Sequence, residues 1–299
     1  MIIVMIIFIQ MICRFRKDKE MRFKRIYIEI TNTCNLACSF CIQNQRVPRK
    51  LSVEEFEHII NEIKPYTAYV YLHILGEPLS HPDLGAFLDI CEQADLQVNI
   101  TTNGTLLKAK EELLLSHRIR QINVSLHSFP EHVQPHYFED VCSVSEKLAR
   151  QGVHISYRLW SVKDGVLSEE SKVLLEKIMK HYAIPEIKDF EKRMRMKLQD
   201  YLYLNMESVF EWPSLNHSFV SDVGRCLGMK QMCGILSDGT ITACCLDSKG
   251  DIALGNIFKE SFSSIIQSDR VIAMCDGFSN QIIKEELCKH CSYRLRFNK

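Results

Sequence analysis

The 299-residue sequence has no excess of charge of either sign: Lys and Arg total 37, and so do Asp and Glu. A chain without net charge lacks the electrostatic footprint of a nucleic-acid binder or of a protein held on an anionic membrane. It also lacks an apolar run long enough to cross a bilayer, which takes about 20 residues. The run over residues 1–13 is almost wholly apolar but stops short of that length. Internal repeats and low-complexity segments are missing as well. These absences leave a globular protein that acts on small molecules or on other proteins, expected in the cytoplasm.

A basic cluster, Arg14, Arg16, Lys17 and Lys19, comes directly after residues 1–13. In a secretory signal the basic residues precede the apolar stretch, so the order is wrong for one. Met21 stands directly before the first strand-like segment and is an alternative start. Residues 1–20 are then a dispensable extension, a helix packed on the domain, or a segment that touches a membrane; the sequence leaves all three open.

Cysteine is abundant, with 13 residues. Disulfide scaffolds are short and poor in core residues, whereas this chain is 46% hydrophobic. The cysteines are bunched at two places, which reads as metal ligation in a reducing compartment.

From residue 25 the chain alternates Ile-, Val-, Leu- and Tyr-rich runs with amphipathic stretches. Strands are expected at 25–31, 69–76, 97–104, 121–128 and 154–160, with a weaker sixth at 200–206. Helices are expected at 53–64, 82–94, 106–115, 141–151 and 168–181. Ser52 with Glu55 forms a capping box at the first of these. Such alternation implies βαβ units and a parallel sheet, with ligand sites at the C-terminal ends of strands. Beyond Pro213 the alternation stops, and Ser237-Asp238-Gly239 sits between apolar runs as a hairpin turn does. A boundary is expected within 208–224.

The first cysteine group reads Cys34-x3-Cys38-x-Phe40-Cys41 and falls just past the first strand. Three thiolates in one short loop suit a cubane iron–sulfur cluster with one iron left without a protein ligand. Given 13 cysteines in 299 positions, the triple has a chance expectation of roughly 0.02. A zinc site completed by a distant ligand, or buried structural thiols, are the alternatives by ligand type.

In this spacing the chain resembles the radical S-adenosylmethionine (SAM) superfamily, whose signature is C-x3-C-x-Φ-C with an aromatic at Φ, here Phe40. The resemblance implies that Cys34, Cys38 and Cys41 hold a [4Fe–4S] cluster whose open iron binds SAM. It further implies reductive cleavage of SAM to methionine and a 5′-deoxyadenosyl radical that takes hydrogen from a substrate. An electron donor such as flavodoxin or ferredoxin is implied as a partner. Leu75-Gly76-Glu77-Pro78, ending the second strand, is similar to the family's GGEP element, with Leu75 in place of its first glycine. Gly76, Glu77 and Pro78 are then expected to hold the methionine ammonium, Glu77 at an exposed strand end. Asn103 and Ser125, ending the third and fourth strands, match positions that bind the ribose hydroxyls or the SAM carboxylate. Arg158, a charged residue in the fifth strand, is either a partner for that carboxylate or half of a structural ion pair.

The second group holds Cys226, Cys233, Cys244, Cys245, Cys275, Cys288 and Cys291. A C-x2-C knuckle (Cys288, Cys291) plus two distant cysteines makes a four-thiolate site for zinc or an iron–sulfur cluster. The region resembles the SPASM and twitch extensions of radical SAM enzymes, which bind auxiliary [4Fe–4S] clusters. That resemblance implies Cys226, Cys244, Cys288 and Cys291 as ligands. Cys245 is an alternative to Cys244, because neighbours on a strand face opposite ways. One auxiliary cluster is expected rather than two. Cys233 and Cys275 are spare; Cys13, Cys91 and Cys142 read as core thiols.

The expected architecture is α/β: an N-terminal extension over 1–24, a partial (β/α)6 TIM-like barrel over 25–215, and a cluster-binding extension over 216–299. The expected function is a radical SAM enzyme acting on a peptide or small metabolite. A non-enzymatic zinc or iron–sulfur module is the rival reading, and it has no use for Gly76–Pro78 or Asn103.

Overall fold

The computed structural model describes residues 23–128, 134–163, 166–184 and 195–297. The expectations for residues 1–20, for Met21 and for Cys13 lie outside the described residues.

Six parallel strands form the frame: β1 (Arg25–Ile28), β2 (Tyr69–Tyr71), β3 (Gln97–Thr102), β4 (Gln121–Ser125), β5 (His154–Lys163) and β8 (Leu202–Ser208). Two short elements, β6 (Val166–Leu167) and β7 (Arg195–Gln199), pair antiparallel with β5 and β8. Helices α1 (Val53–Ile63), α2 (Leu84–Gln93), α3 (Glu111–Ser116), α4 (Tyr137–Arg150) and α5 (Glu169–His181) connect the parallel strands. The order β1-β2-β3-β4-β5-β8 is that of a partial (β/α)6 barrel.

Local chemistry fixes where these elements begin and end. Ser52 Oγ accepts the Glu55 amide at 3.2 Å while Glu55 accepts the Ser52 amide at 3.0 Å, so α1 starts where the capping box places it. β2 ends five residues before Gly76 rather than running to it, because the His73 amide turns back onto the Tyr71 carbonyl (2.9 Å) and leaves the ladder. α3 is shorter than its apolar pattern suggests: Asn103 Oδ1 takes the Thr105 amide at 3.0 Å, and the residues after it form turns before the helix.

The C-terminal segment is continuous with this sheet. β9 (Met232–Ile235) pairs parallel with β1, and β10 (Thr240–Thr242) and β11 (Gly255–Asn256) continue it antiparallel. Gly239, at φ +85°, makes the hairpin turn between β9 and β10. Helices α6 (Phe262–Ile266), α7 (Asp269–Ser279) and α8 (Glu286–Lys289) complete the chain.

Period-two alternation gives the strands two faces. Ile26, Ile28, Val70, Val98, Ile100, Ile122 and Val124 pack into the core shared with the helices. The other face carries Tyr27, Tyr71, His73, Thr101, Asn123, Ser125 and Arg158, lining the inside of the barrel. Closed TIM barrels fill that space with branched apolar side chains; this lumen is largely polar. A small separate apolar cluster of Tyr27, Ile74 and Leu236, with Tyr71, Met232 and Cys245 against it, sits at the β1–β2–β9 side.

Candidate active site at the strand ends

The loop after β1 carries Cys34, Cys38 and Cys41. The Leu36 amide lies 3.5 Å from Cys34 Sγ and the Gln43 amide 3.4 Å from Cys41 Sγ, so backbone donors face two of the three sulfurs. Cys38 Sγ lies 3.4 Å from the Ser128 carbonyl. Burial pushes the Cys34 and Cys38 thiols above their ordinary values, and the mutual repulsion of the three sulfurs adds to it. They are therefore neighbours. Yet among the described residues no three His, Cys, Asp or Glu side chains gather closely enough to hold one metal ion. An open cleft of ≈ 890 Å³ lies beside Cys38 and Phe40, a volume in the range of small-molecule sites. Phe40 is 44% exposed at this cleft, 4.9 Å from the His127 ring.

Gly76 is required where it stands. It has φ +77°, and a Cβ there would meet the Thr31 and Thr33 carbonyl oxygens at 2.3 and 2.8 Å. The Glu77 amide donates to the same Thr33 carbonyl at 2.9 Å, binding this turn to the cysteine loop. Glu77 is not at an exposed strand end, as the motif suggested, but 1% exposed. Its carboxylate accepts from the Leu79 amide (3.0 Å), Thr102 Oγ1 (2.7 Å) and the Asn103 amide (2.8 Å). Burial raises its pKa and those three donors pull it back. The reason for the inward turn is that the single helical turn at 78–80, opened by buried Pro78, needs an N-terminal acceptor, and Glu77 supplies it.

Asn103 reaches the cysteine loop from the end of β3. Its Nδ2 lies 2.9 Å from Asn35 Oδ1 and 3.8 Å from Cys34 Sγ. Ser125 and Arg158 are paired in register across β4 and β5, both on the lumen face. The Arg158 guanidinium lies 4.5 Å over the Trp160 ring, and no ion pair involving it occurs among the described residues. Burial brings it down to about 10. The structure accordingly brings Cys34, Cys38, Cys41, Phe40, Gly76, Glu77 and Asn103 to one end of the barrel, with Ser125 and Arg158 opening below them.

The second cysteine group converges from three elements. The charges of Cys226 and Cys288 bear on Cys244, and those of Cys226 and Cys291 bear on Cys288. Burial raises all four thiols above their ordinary values. Cys245 packs instead against the apolar cluster of Tyr27, Ile74 and Leu236. Cys233 is fully buried in the core and Cys275 lies apart beside Lys230 and Asp276. Cys91 and Cys142 are core thiols.

Sequence reasoning passed over Tyr27, His73 and the Glu29–Arg46 pair. Glu29, wholly buried, accepts from Arg46 at 2.5 and 2.6 Å and from the Ser237 amide and hydroxyl at 3.0 and 2.9 Å. The signal was the alternation Arg25, Tyr27, Glu29: polar at every second residue of an otherwise isoleucine-rich strand.

Known proteins share these features. The radical SAM superfamily model matches residues 28–165, and that of SPASM, an iron–sulfur cluster-binding domain, matches residues 226–292. A probable GTP 3′,8-cyclase of Methanocella arvoryzae is 33% identical over 109 residues, 36% of this chain and 35% of that protein. The chain thus spans about a third of the length of the cyclase it matches. The antilisterial bacteriocin subtilosin biosynthesis protein AlbA of Bacillus subtilis is 22% identical over 298 residues, covering 89% of this chain and 65% of AlbA. Among solved structures, Streptococcus suis SuiB bound to S-adenosylmethionine superposes with a TM-score of 0.62 at 18% identity, over 94% of this chain and 73% of SuiB. Among the described residues no helix is long and apolar enough to cross a membrane.

Proposed function

We propose, for a chain that belongs to the radical SAM superfamily and carries an iron–sulfur cluster-binding domain, that it is an enzyme whose Cys34, Cys38 and Cys41 hold a [4Fe–4S] cluster and which cleaves SAM reductively. When bound, cluster and SAM supply one-electron cleavage of the sulfonium to methionine and a 5′-deoxyadenosyl radical that takes hydrogen from substrate. Every other task falls to the chain. The bare Cα of Gly76 lets the backbone approach the cysteine loop, and Glu77 braces that turn against Asn103. Asn103 orients the Cys34 side through Asn35 and would offer its side chain to a bound nucleoside. Arg158 offers a cation to a carboxylate, with Ser125 beside it as a donor.

Cys226, Cys244, Cys288 and Cys291 are assigned to one auxiliary [4Fe–4S] cluster, in an extension taken as residues 216–299 after a barrel over 25–215. A flavodoxin- or ferredoxin-class donor supplies electrons in the cytoplasm, and the substrate is a peptide or small metabolite. The observation that carries this reading is the convergence of the cysteine loop, Gly76–Glu77 and Asn103 at the ends of three successive parallel strands. A structural zinc module has no need of that convergence.

The test is anaerobic reconstitution and then incubation with dithionite and SAM. Methionine and 5′-deoxyadenosine are expected from the wild type, and none from Cys38→Ala. Zinc in place of iron, or no nucleoside product from an iron-loaded protein, overturns the reading.

A further inference from the structure

The last helical turns of the chain bury a cation. Arg294, within Ser292–Phe297, is 1% exposed and among the largest fully buried side chains. Its Nε donates to the Cys288 carbonyl at 2.8 Å, its Nη1 to the Val223 carbonyl at 3.0 Å and its Nη2 to the Ser221 carbonyl. Among the described residues no carboxylate pairs with it. Arg46, by contrast, meets the buried carboxylate of Glu29.

The guanidinium ties together two cysteine-bearing segments that are far apart in sequence. Val223 stands three residues before Cys226, and Cys288 is itself one of the four ligands assigned above. Main-chain bonds run beside that tie: the Val220 amide donates to the Lys289 carbonyl at 2.8 Å and the Ile283 amide to the Asp222 carbonyl at 2.7 Å. Three carbonyl dipoles satisfy the donors of Arg294 but carry no net charge, so a buried positive charge is left without an opposite one. The cysteine group beside it can supply that charge. Burial pushes the Cys226 and Cys291 thiols up, and the Arg294 charge pulls both back toward the thiolate.

Resting on the auxiliary cluster assigned above, we infer that Arg294 is a positioning residue for that cluster: the clamp on two of its ligand segments and its built-in counter-charge. A four-iron cube on four thiolates is negative overall, and one-electron reduction makes it more so. A fixed cation in the low-dielectric interior beside it therefore stabilises the reduced form more than the oxidised one and raises the reduction potential. The cluster becomes a better electron acceptor. A cation in water is screened and does much less. Arg296, two residues on, is of that kind: it is exposed and bonded to Glu207 at 2.7 Å.

The test uses the reconstituted full chain with Cys38→Ala as parent, so that EPR reports the auxiliary cluster alone. The protein is poised at set potentials with dithionite and mediators, and the signal of the reduced cluster is followed. Added to the parent, Arg294→Met is expected to move the midpoint to a more negative potential by at least about 59 mV, a tenfold change in the ratio of reduced to oxidised cluster. Arg294→Lys keeps the charge without the planar fork and is expected to hold about four irons at the parent's midpoint. Arg296→Met is expected to stay near the parent. An unshifted midpoint in Arg294→Met, or an equal shift in Arg296→Met, overturns the inference. Where Arg294→Met holds no cluster, Arg294→Lys decides: a cluster at the parent's midpoint supports the inference, and an empty or shifted site overturns it. Zinc, or no iron, in the parent sinks the cluster assignment instead, so the two failures are told apart.

Discussion

The buried carboxylate of Glu77 accepts the main-chain N–H of Asn103 at 2.8 Å, which ties the turn after β2 to the end of β3. Through it the residue that faces Cys34 is held by a side chain that touches neither sulfur nor solvent. Glu77→Gln keeps the shape but turns an NH2 toward donors that the carboxylate satisfied. Leaving one of them unpaired costs about 1–3 kcal/mol. A lower denaturant midpoint is therefore expected, together with a raised KM for SAM in the uncoupled cleavage assay. If stability falls while the SAM dependence stays put, Glu77 braces the fold without positioning Asn103.

A second carboxylate joins the two cysteine-bearing segments. Arg46, five residues beyond Cys41, makes its bonds to Glu29 while its Nε donates to the Ser248 carbonyl at 2.9 Å. Arg49 Nε adds a bond to the Ser237 carbonyl at 2.6 Å. Arg46→Ala leaves a fully buried carboxylate without its cation, a loss worth about 3–5 kcal/mol. The double variant Glu29→Gln/Arg46→Met removes both charges and should recover most of it. Chemical denaturation of the reconstituted protein reads both; equal destabilisation of single and double variants would show that the cost lies in packing.

Much of this was legible in the sequence, because the informative signals were local. The six parallel strands announced themselves by apolar runs, α1 by Ser52 and Glu55, and the hairpin by Gly239. The short antiparallel β7 was not foreseen: Arg195–Gln199 alternates charge and apolar residues weakly, and only pairing with β8 makes it a strand. The direction of Glu77 was misjudged for a similar reason. Which way a side chain turns at a strand end depends on donors 25 and 26 residues away, at Thr102 and Asn103. The packing of Cys245 against Tyr27 was likewise beyond local reading.

The two cysteine groups are separate in space, so their loading should be separable. Cys38→Ala is expected to retain about four irons per chain and Cys288→Ala about four, against about eight in the wild type. Only the second should keep the EPR change on SAM addition. Cluster uptake should also release protons, because burial keeps these thiols protonated in the empty protein; raising the pH of reconstitution speeds loading. A variant at Cys288 that loses all its iron would show the two sites to be interdependent.

His73 gives a pH dependence whose sign is fixed by its surroundings. Burial first, and the nearby Arg158 charge second, lower its pKa from 6.5 to about 3. The unfolded chain therefore binds a proton between these values that the folded chain refuses. Stability rises with pH across that window, levels off above 6.5, and falls by about 1.4 kcal/mol per pH unit on acidification below it. Between pH 7 and 5 the contribution of His73 is about 2 kcal/mol. Asp247 works in the opposite direction, since burial raises its carboxyl to about 6 and its ionisation costs stability as pH climbs. The difference between wild type and His73→Gln cancels Asp247 and isolates the imidazole. The wild type should lose stability on acidification more steeply than His73→Gln, by denaturant titration at pH 7, 6 and 5. Parallel profiles would mean that the imidazole takes up its proton in the folded state, paired with a group the lumen supplies.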